Sequence, residues 1–153
     1  MPDGLYYYKN ARFLTHLPKS HLYTRSHAWL TEVAPGIWRA GLTRFAGRML
    51  GDIVEFGFDA GPGTMVEVGG KIGWMEGFKA VSDIYSVVSG EFLRSNPALD
   101  EDITLLDTKP YAEGWLYEVR GVPEPGAVDV AGYVGILDAT IAKMLESRHS
   151  QEA

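Results

Sequence analysis

One lysine stands in a setting that would allow a covalent group to be attached to the chain. Lys79 lies in the segment EGFKA, which begins at Glu76 and separates two apolar runs of strand-like composition. This pattern predicts a β-hairpin whose tip presents Lys79 to solvent. A lysine there has a flexible stem and a reachable amine, which suits an amide-linked prosthetic arm. A solvated surface charge looks the same, so the motif alone leaves both interpretations open.

Other candidate sites are weaker. His16, His21 and His27 lie close in sequence, but their spacing fits neither a helical nor a strand pair of metal ligands, so we expect no metal site. No nucleophile with a patterned base is visible. The chain has no cysteine, which excludes disulfides, cysteine zinc sites and iron–sulfur clusters. Any redox role must therefore come from a group added to the chain.

Composition narrows the classes of partner. The 153 residues carry a formal net charge of -6. Nucleic-acid binding is disfavoured, because phosphate neutralisation needs a basic surface. No apolar run approaches membrane-spanning length, and the first residues lack the apolar core of a signal peptide. We therefore expect no membrane contact and a cytoplasmic location.

Turn residues and alternating apolar residues predict a strand-rich fold. Eighteen Gly and eight Pro indicate many tight turns. Thr43 is placed to cap a short helix that Gly51 ends, and residues 52–58 alternate with Val54, Phe56 and Phe58 on one face. One long helical stripe lies near the end of the chain, at Val134, Leu137, Ile141, Met144 and Leu145. We predict a flattened β-barrel or sandwich of about ten short strands with a C-terminal helix.

The same patterns divide the chain into three segments. We interpret residues 1–22 as an N-terminal extension, whose tyrosines favour packing against the domain over disorder. Residues 23–148 hold the strand pattern and the terminal helix as a single domain, and residues 149–153 form a tail.

The segment EGFKAVSDIYSVVSGE resembles the lipoylation segment of the glycine cleavage system H protein family. The likeness spans residues 23–145 in order, and it includes the segments YTRSHAW (23–29), GLT (41–43), LGDIV (50–54) and PYAEGWL (110–116). The resemblance implies a mainly β fold, the lipoyl-type barrel-sandwich hybrid of two antiparallel sheets with a C-terminal helix.

The resemblance also gives roles to individual residues. Lys79 matches the lipoylated lysine, which implies lipoic acid as a covalent, amide-linked cofactor. Glu76 and Gly63 match positions that lipoylating enzymes recognise. Ser26 and Asp83 match positions that line the cleft where the loaded arm can rest. A protein of this kind catalyses nothing by itself.

One departure from the family pattern bears on the cargo. The family has His-Glu-Trp where this chain has His27-Ala28-Trp29, so the carboxylate that faces the amine of an aminomethyl-loaded arm is missing. Gly77-Phe78 also replaces the family's Ser-Val. These features resemble the H-like lipoate-binding proteins of heterodisulfide-reductase-like sulfur oxidation systems. An uncharged or anionic sulfur cargo needs no carboxylate at position 28.

We therefore expect a lipoyl carrier that takes sulfur between sulfurtransferases and a heterodisulfide-reductase-like complex. The alternative is a glycine cleavage carrier, with glycine decarboxylase, aminomethyltransferase and dihydrolipoyl dehydrogenase as partners. A lipoylating enzyme modifies the chain in both cases. Two other classes of function are a self-contained enzyme and an unmodified interaction module of the same fold. The combination of Lys79, Glu76 and Gly63 favours the carrier over the module.

Overall fold

The computed structural model describes residues 4–152, with side chains described up to residue 148. The chain is mainly β, with short helices between strands and one long helix at its end. The strands are β1 (Leu5–Asn10), β2 (Phe13–Pro18), β3 (Leu22–Tyr23), β4 (Ala28–Ala34), β5 (Ile37–Leu42), β6 (Ile53–Phe58), β7 (Met65–Val66), β8 (Lys71–Gly77), β9 (Val81–Tyr85), β10 (Val88–Ser95) and β11 (Tyr117–Pro123). The helices are α1 (Arg44–Leu50), α2 (Ala98–Glu101), α3 (Leu105–Thr108) and α4 (Val130–Glu152).

Two antiparallel sheets enclose the main core. The larger sheet has the strand order β3-β4-β5-β11-β10-β7, and the smaller one has the order β6-β8-β9. Residues of both sheets share one apolar cluster, which includes Leu30 and Phe92 of the larger sheet and Met75 of the smaller one. Burial of this apolar surface holds the sheets together. The barrel-sandwich architecture with a C-terminal helix, predicted from the sequence, is confirmed.

The N-terminal extension forms a hairpin that packs on the domain. Strand β1 pairs with β2 in a separate two-stranded sheet. Tyr8, Phe13 and Leu17 of this hairpin are buried in a second apolar cluster with Tyr133 of α4. Tyr8 Oη also donates to Asp138 Oδ1 at 2.7 Å. The extension is therefore tied to α4, in agreement with the packing that its tyrosines favour.

One local expectation is wrong. A bulge in β6 between Ile53 and Glu55 shifts its register against β8. As a result Ile53 is buried while Val54 is 48 % exposed. Of the common face expected for Val54, Phe56 and Phe58, only Phe56 and Phe58 pack against the core. Val54 is lost from it, because an extra residue in a strand interrupts the alternation of its side chains.

The C-terminal helix covers the second cluster with the first half of its apolar stripe. Leu137 and Ile141 are buried, whereas Met144 and Leu145 are exposed. Helix α4 continues to Glu152, through most of the segment expected to be a tail, while residues 1–3 and 153 lie outside the described residues. Within residues 4–152, no helix is both long and apolar enough to span a bilayer.

Candidate functional site

Lys79 stands at the tip of the β8–β9 hairpin. The two strands pair in antiparallel register, and Gly77 N donates to Ala80 O at 2.9 Å to close the turn. The lysine is exposed, and the neighbouring Phe78 is 80 % exposed. The structure therefore places Lys79 at the hairpin tip predicted from the sequence, where a modifying enzyme can reach it.

The hairpin tip is held against the end of helix α1. Lys79 N donates to Leu50 O at 2.8 Å, and Phe78 N donates to Asp52 O at 3.0 Å. These backbone bonds join two segments that are distant in sequence. The backbone of Lys79 is therefore anchored to the end of α1, while its side chain stays exposed to solvent.

A cavity of about 350 Å³ lies beside helix α1. The helix begins after Thr43, which caps it, and Gly51 follows its last turn, as the sequence predicted. The residues of α1 that line the cavity are Phe45, Ala46, Met49 and Leu50. Residues 26–28 and 82–85 form other walls. The volume is in the range of sites that hold small organic groups, and such sites are mostly apolar.

The structure brings Ser26 and Asp83 to this one cavity. Ser26 Oγ lies 2.8 Å from Thr24 Oγ1. Asp83 Oδ1 lies 3.5 Å from Lys71 Nζ, and Tyr85 Oη donates to Asp83 Oδ2 at 3.3 Å. The Asp83 carboxylate thus already has a cationic partner, in a pair whose side chains are both exposed and screened by solvent.

His27 lines the same cavity with a fixed tautomer. Tyr133 Oη donates to Thr43 Oγ1 at 2.9 Å, and Thr43 Oγ1 donates to His27 O at 2.9 Å. Because the Tyr133 proton is used there, Tyr133 Oη accepts from His27 Nδ1–H, 2.9 Å away. Burial lowers the pKa of His27, which keeps the ring neutral and leaves Nε2 as an acceptor.

Two residues of this site were not found from the sequence. Tyr133 was not singled out within the C-terminal helix, and Leu50 was seen only as part of a matching segment. Tyr133 contacts His27, and Leu50 contacts Lys79. Both contacts join distant parts of the chain, and no local sequence pattern encodes them. Among the described residues, no group of three or more His, Asp or Glu side chains is placed to hold a metal ion.

Glu76 lies near Lys79, whereas Gly63 does not. Glu76 is exposed on β8, directly opposite Glu55 of β6. Neither carboxylate has a salt-bridge partner among the described side chains, and like charges facing each other across strands cost stability. Gly63 lies in the turn after Phe58, and Phe58 is the end of β6 away from the hairpin tip. It has φ +89, and its N–H donates to Phe92 O.

Two partly buried histidines predict how the stability of the protein depends on pH. Burial lowers the pKa of both His21 and His27 in the folded protein. Below about pH 6.5 the unfolded chain takes up protons that the folded one does not, so we expect the free energy of unfolding to fall from that pH downward. Urea unfolding at a series of pH values between 8 and 5 measures this fall in the free energy of unfolding.

His27→Gln is the informative variant for this slope. The variant lacks one of the two partly buried histidines, so its free energy of unfolding should fall less steeply with acid than that of the unaltered protein. An identical slope in the variant would show that His27 is protonated as easily in the folded protein as in the unfolded chain.

Comparison with known proteins points to one family. The family model described as Glycine cleavage H-protein matches residues 21–129. A glycine cleavage system H protein of Enterobacter sp. (strain 638) is 36 % identical over 135 residues, covering 88 % of this chain and 99 % of that protein. The protein of the same description from Corynebacterium jeikeium (strain K411) is 44 % identical over 116 residues, covering 74 % of this chain and 90 % of its own length.

A solved structure agrees with these sequence matches. The crystal structure of a glycine cleavage system H protein from Mycobacterium marinum superposes with a TM-score of 0.70 at 31 % identity. The match covers 78 % of this chain and 97 % of that protein.

Proposed function

Because the chain belongs to the glycine cleavage H-protein family, we propose that it carries the aminomethyl group from glycine decarboxylase to aminomethyltransferase on a lipoyl arm at Lys79. Proteins of this family are lipoyl carriers and not catalysts, and their lipoate is attached to a lysine. The observation that carries the proposal is the position of Lys79, exposed at a hairpin tip and bonded to the cavity-lining Leu50. The comparisons favour this function over the sulfur pathway preferred from the sequence.

The residues present fit a lipoyl group. The group supplies a dithiol–disulfide pair, which a chain without cysteine cannot supply itself. Lys79 would hold it through an amide bond. Phe45 and Met49 would contact the apolar part of the arm, with roughly 25 cal/mol gained for each Å² of apolar surface buried. Ser26 and Asp83 would face its loaded end.

The proposal includes the partners that this reaction cycle needs. A lipoylating enzyme must form the amide bond at Lys79, reading the exposed Glu76 and the turn at Gly63. Dihydrolipoyl dehydrogenase completes the set, because the dithiol must be reoxidised after each cycle. We place the cycle in the cytoplasm, as expected from the sequence.

A sulfur carrier remains the second candidate, on one observation. Ala28 lines the cavity with a methyl group, and the Asp83 carboxylate is paired with Lys71. A cationic amine sheltered there would lack an unpaired carboxylate, which is unfavourable in a mostly apolar site. A neutral or anionic sulfur cargo has no such requirement.

Charge at position 28 separates the two candidates. If the arm carries an aminomethyl group, Ala28→Glu should increase loading by glycine decarboxylase about tenfold, because a hydrogen bond to a charged group contributes about 1.5–3 kcal/mol. Ala28→Gln is the matched control, with a similar shape and no charge. The measurement is the mass of the loaded arm over time, with glycine decarboxylase and with a sulfurtransferase offered separately.

Each outcome of this test assigns the cargo. Loading of the unaltered protein from glycine, enhanced by Ala28→Glu, supports the aminomethyl carrier. Sulfur uptake by the unaltered protein, with glycine loading confined to Ala28→Glu, would transfer the assignment to the sulfur carrier.

Glu76→Ala should slow lipoylation without harming the fold. A modifying enzyme that reads the carboxylate through a charged partner would lose about tenfold in rate or more. The free energy of unfolding should change by less than about 0.5 kcal/mol and in the stabilising direction, because Glu76 faces Glu55. Glu55→Ala relieves the same repulsion, so it controls for local charge. Equal lipoylation rates for both variants would remove the recognition role from Glu76.

A further inference from the structure

The path of the Lys79 side chain depends on Gly51, which has no Cβ. Gly51, directly after α1, has φ +78 and ψ -178, a conformation that residues with a Cβ rarely adopt. A Cβ built on Gly51 would lie 3.0 Å from Lys79 Cγ and 3.0 Å from Lys79 N. Gly51 therefore leaves open the space through which the lysine stem passes.

The stem ends at the carbonyl end of α1. Lys79 Nζ donates to Arg48 O at 3.4 Å, and Lys79 N donates to Leu50 O at 2.8 Å. Both ends of this residue thus contact the last turn of the helix, whose unpaired carbonyls attract N–H donors. An amide formed at Nζ keeps one N–H, so Arg48 O can still accept from it after modification.

The same turn of the helix forms part of the cavity wall. Met49 and Leu50 line the cavity, as do Phe45 and Ala46 one turn earlier. Lys79 is not itself a lining residue, but its stem ends at the carbonyl of Arg48, directly before the cavity-lining Met49, so an arm on this stem starts next to the cavity wall. Restricting the stem raises the effective concentration of the arm's far end there, whereas a stem free in solvent would spread the arm over many directions.

We propose that Gly51 is a positioning residue for the arm: with the carbonyl end of α1, it lays the Lys79 stem along the helix and biases the arm toward the cavity. This inference rests on the proposed lipoylation of Lys79. It concerns how the arm divides its time between cavity and solvent, not the chemistry at its end.

The position of the arm can be measured by the rate at which its thiols are alkylated. The chain has no cysteine, so the thiols of a reduced arm are the only thiols in the protein. Gly51→Ala should push the stem off the helix, and we expect its arm thiols to react with iodoacetamide about threefold to tenfold faster than those of the unaltered protein.

Gly36→Ala is the matched control. Gly36 also has a positive φ, +74, but a Cβ added there meets nothing within 4 Å. The control therefore also places a Cβ at a positive φ, but away from the stem, and its alkylation rate should equal that of the unaltered protein. Thermal unfolding of both variants shows that they are folded.

The outcomes distinguish this inference from the proposed function. Intact mass with peptide mapping comes first, and a chain without lipoate on Lys79 would overturn both. With Lys79 lipoylated, equal alkylation rates in Gly51→Ala and Gly36→Ala would overturn the positioning role alone. If Gly51→Ala does not fold, NMR of the unaltered lipoylated protein decides: we expect a nuclear Overhauser contact between Gly51 Hα and Lys79 Hγ, and its absence overturns the inference.

Discussion

Lys79→Arg is expected to abolish lipoylation and every transfer step that depends on the arm. Arginine keeps the positive charge and the long apolar stem at the hairpin tip, but its guanidinium stays protonated and does not form the amide. The side chain is exposed, so the free energy of unfolding should change by less than about 0.5 kcal/mol. Intact mass after incubation with lipoate and a lipoylating enzyme measures the loss.

Lys71→Arg is the control for this variant. Lys71 lies on the same hairpin, at the opposite end of β8, and forms an ion pair with Asp83 that arginine can keep. It should be lipoylated at the rate of the unaltered protein. Lipoylation that persists in Lys79→Arg and disappears in Lys71→Arg would move the attachment site to Lys71.

The second large effect concerns stability and the N-terminal hairpin. Leu17, on β2, is completely buried as a member of the second apolar cluster. Leu17→Ala removes its methyl groups from a packed site, and such substitutions cost about 2–5 kcal/mol. For a chain of this length we expect the melting temperature to fall by roughly 5–15 °C. Calorimetry measures it.

Leu14→Ala gives the matched comparison, because Leu14 lies on the same strand with its side chain 46 % exposed. Its truncation should change the free energy of unfolding by less than about 1 kcal/mol. Similar losses in both variants would mean that the hairpin is not docked through Leu17. A small loss in both would mean that residues up to 22 contribute little to the folded domain.

Local sequence signals predicted the elements that they encode. Thr43 and Gly51 delimit helix α1 because a cap side chain and a residue that tolerates positive φ are both local requirements. The tip containing Lys79 followed from small residues between apolar strands. The pairing of the strands into two sheets came from the family resemblance, since strand order depends on contacts between distant segments.

Contacts across the chain explain what the sequence did not reveal. The bond between Lys79 N and Leu50 O, and the bond between His27 and Tyr133, form only when separate elements pack together. The bulge beside Ile53 is another case, because register is fixed by the partner strand. Ala28 was identified as a departure, but the pairing of Asp83 with Lys71, which bears on the same cargo question, required the structure.

The most direct test of the central claim follows mass on a single peptide. The unaltered protein is first lipoylated, with the arm kept as the disulfide, and then incubated with glycine and glycine decarboxylase, and the mass of the peptide containing Lys79 is measured after each step. We predict a lipoyl increment on Lys79, followed by an aminomethyl increment on the same residue. A Lys79 peptide that gains no lipoyl group, or a lipoylated one that gains nothing from glycine, would contradict the account.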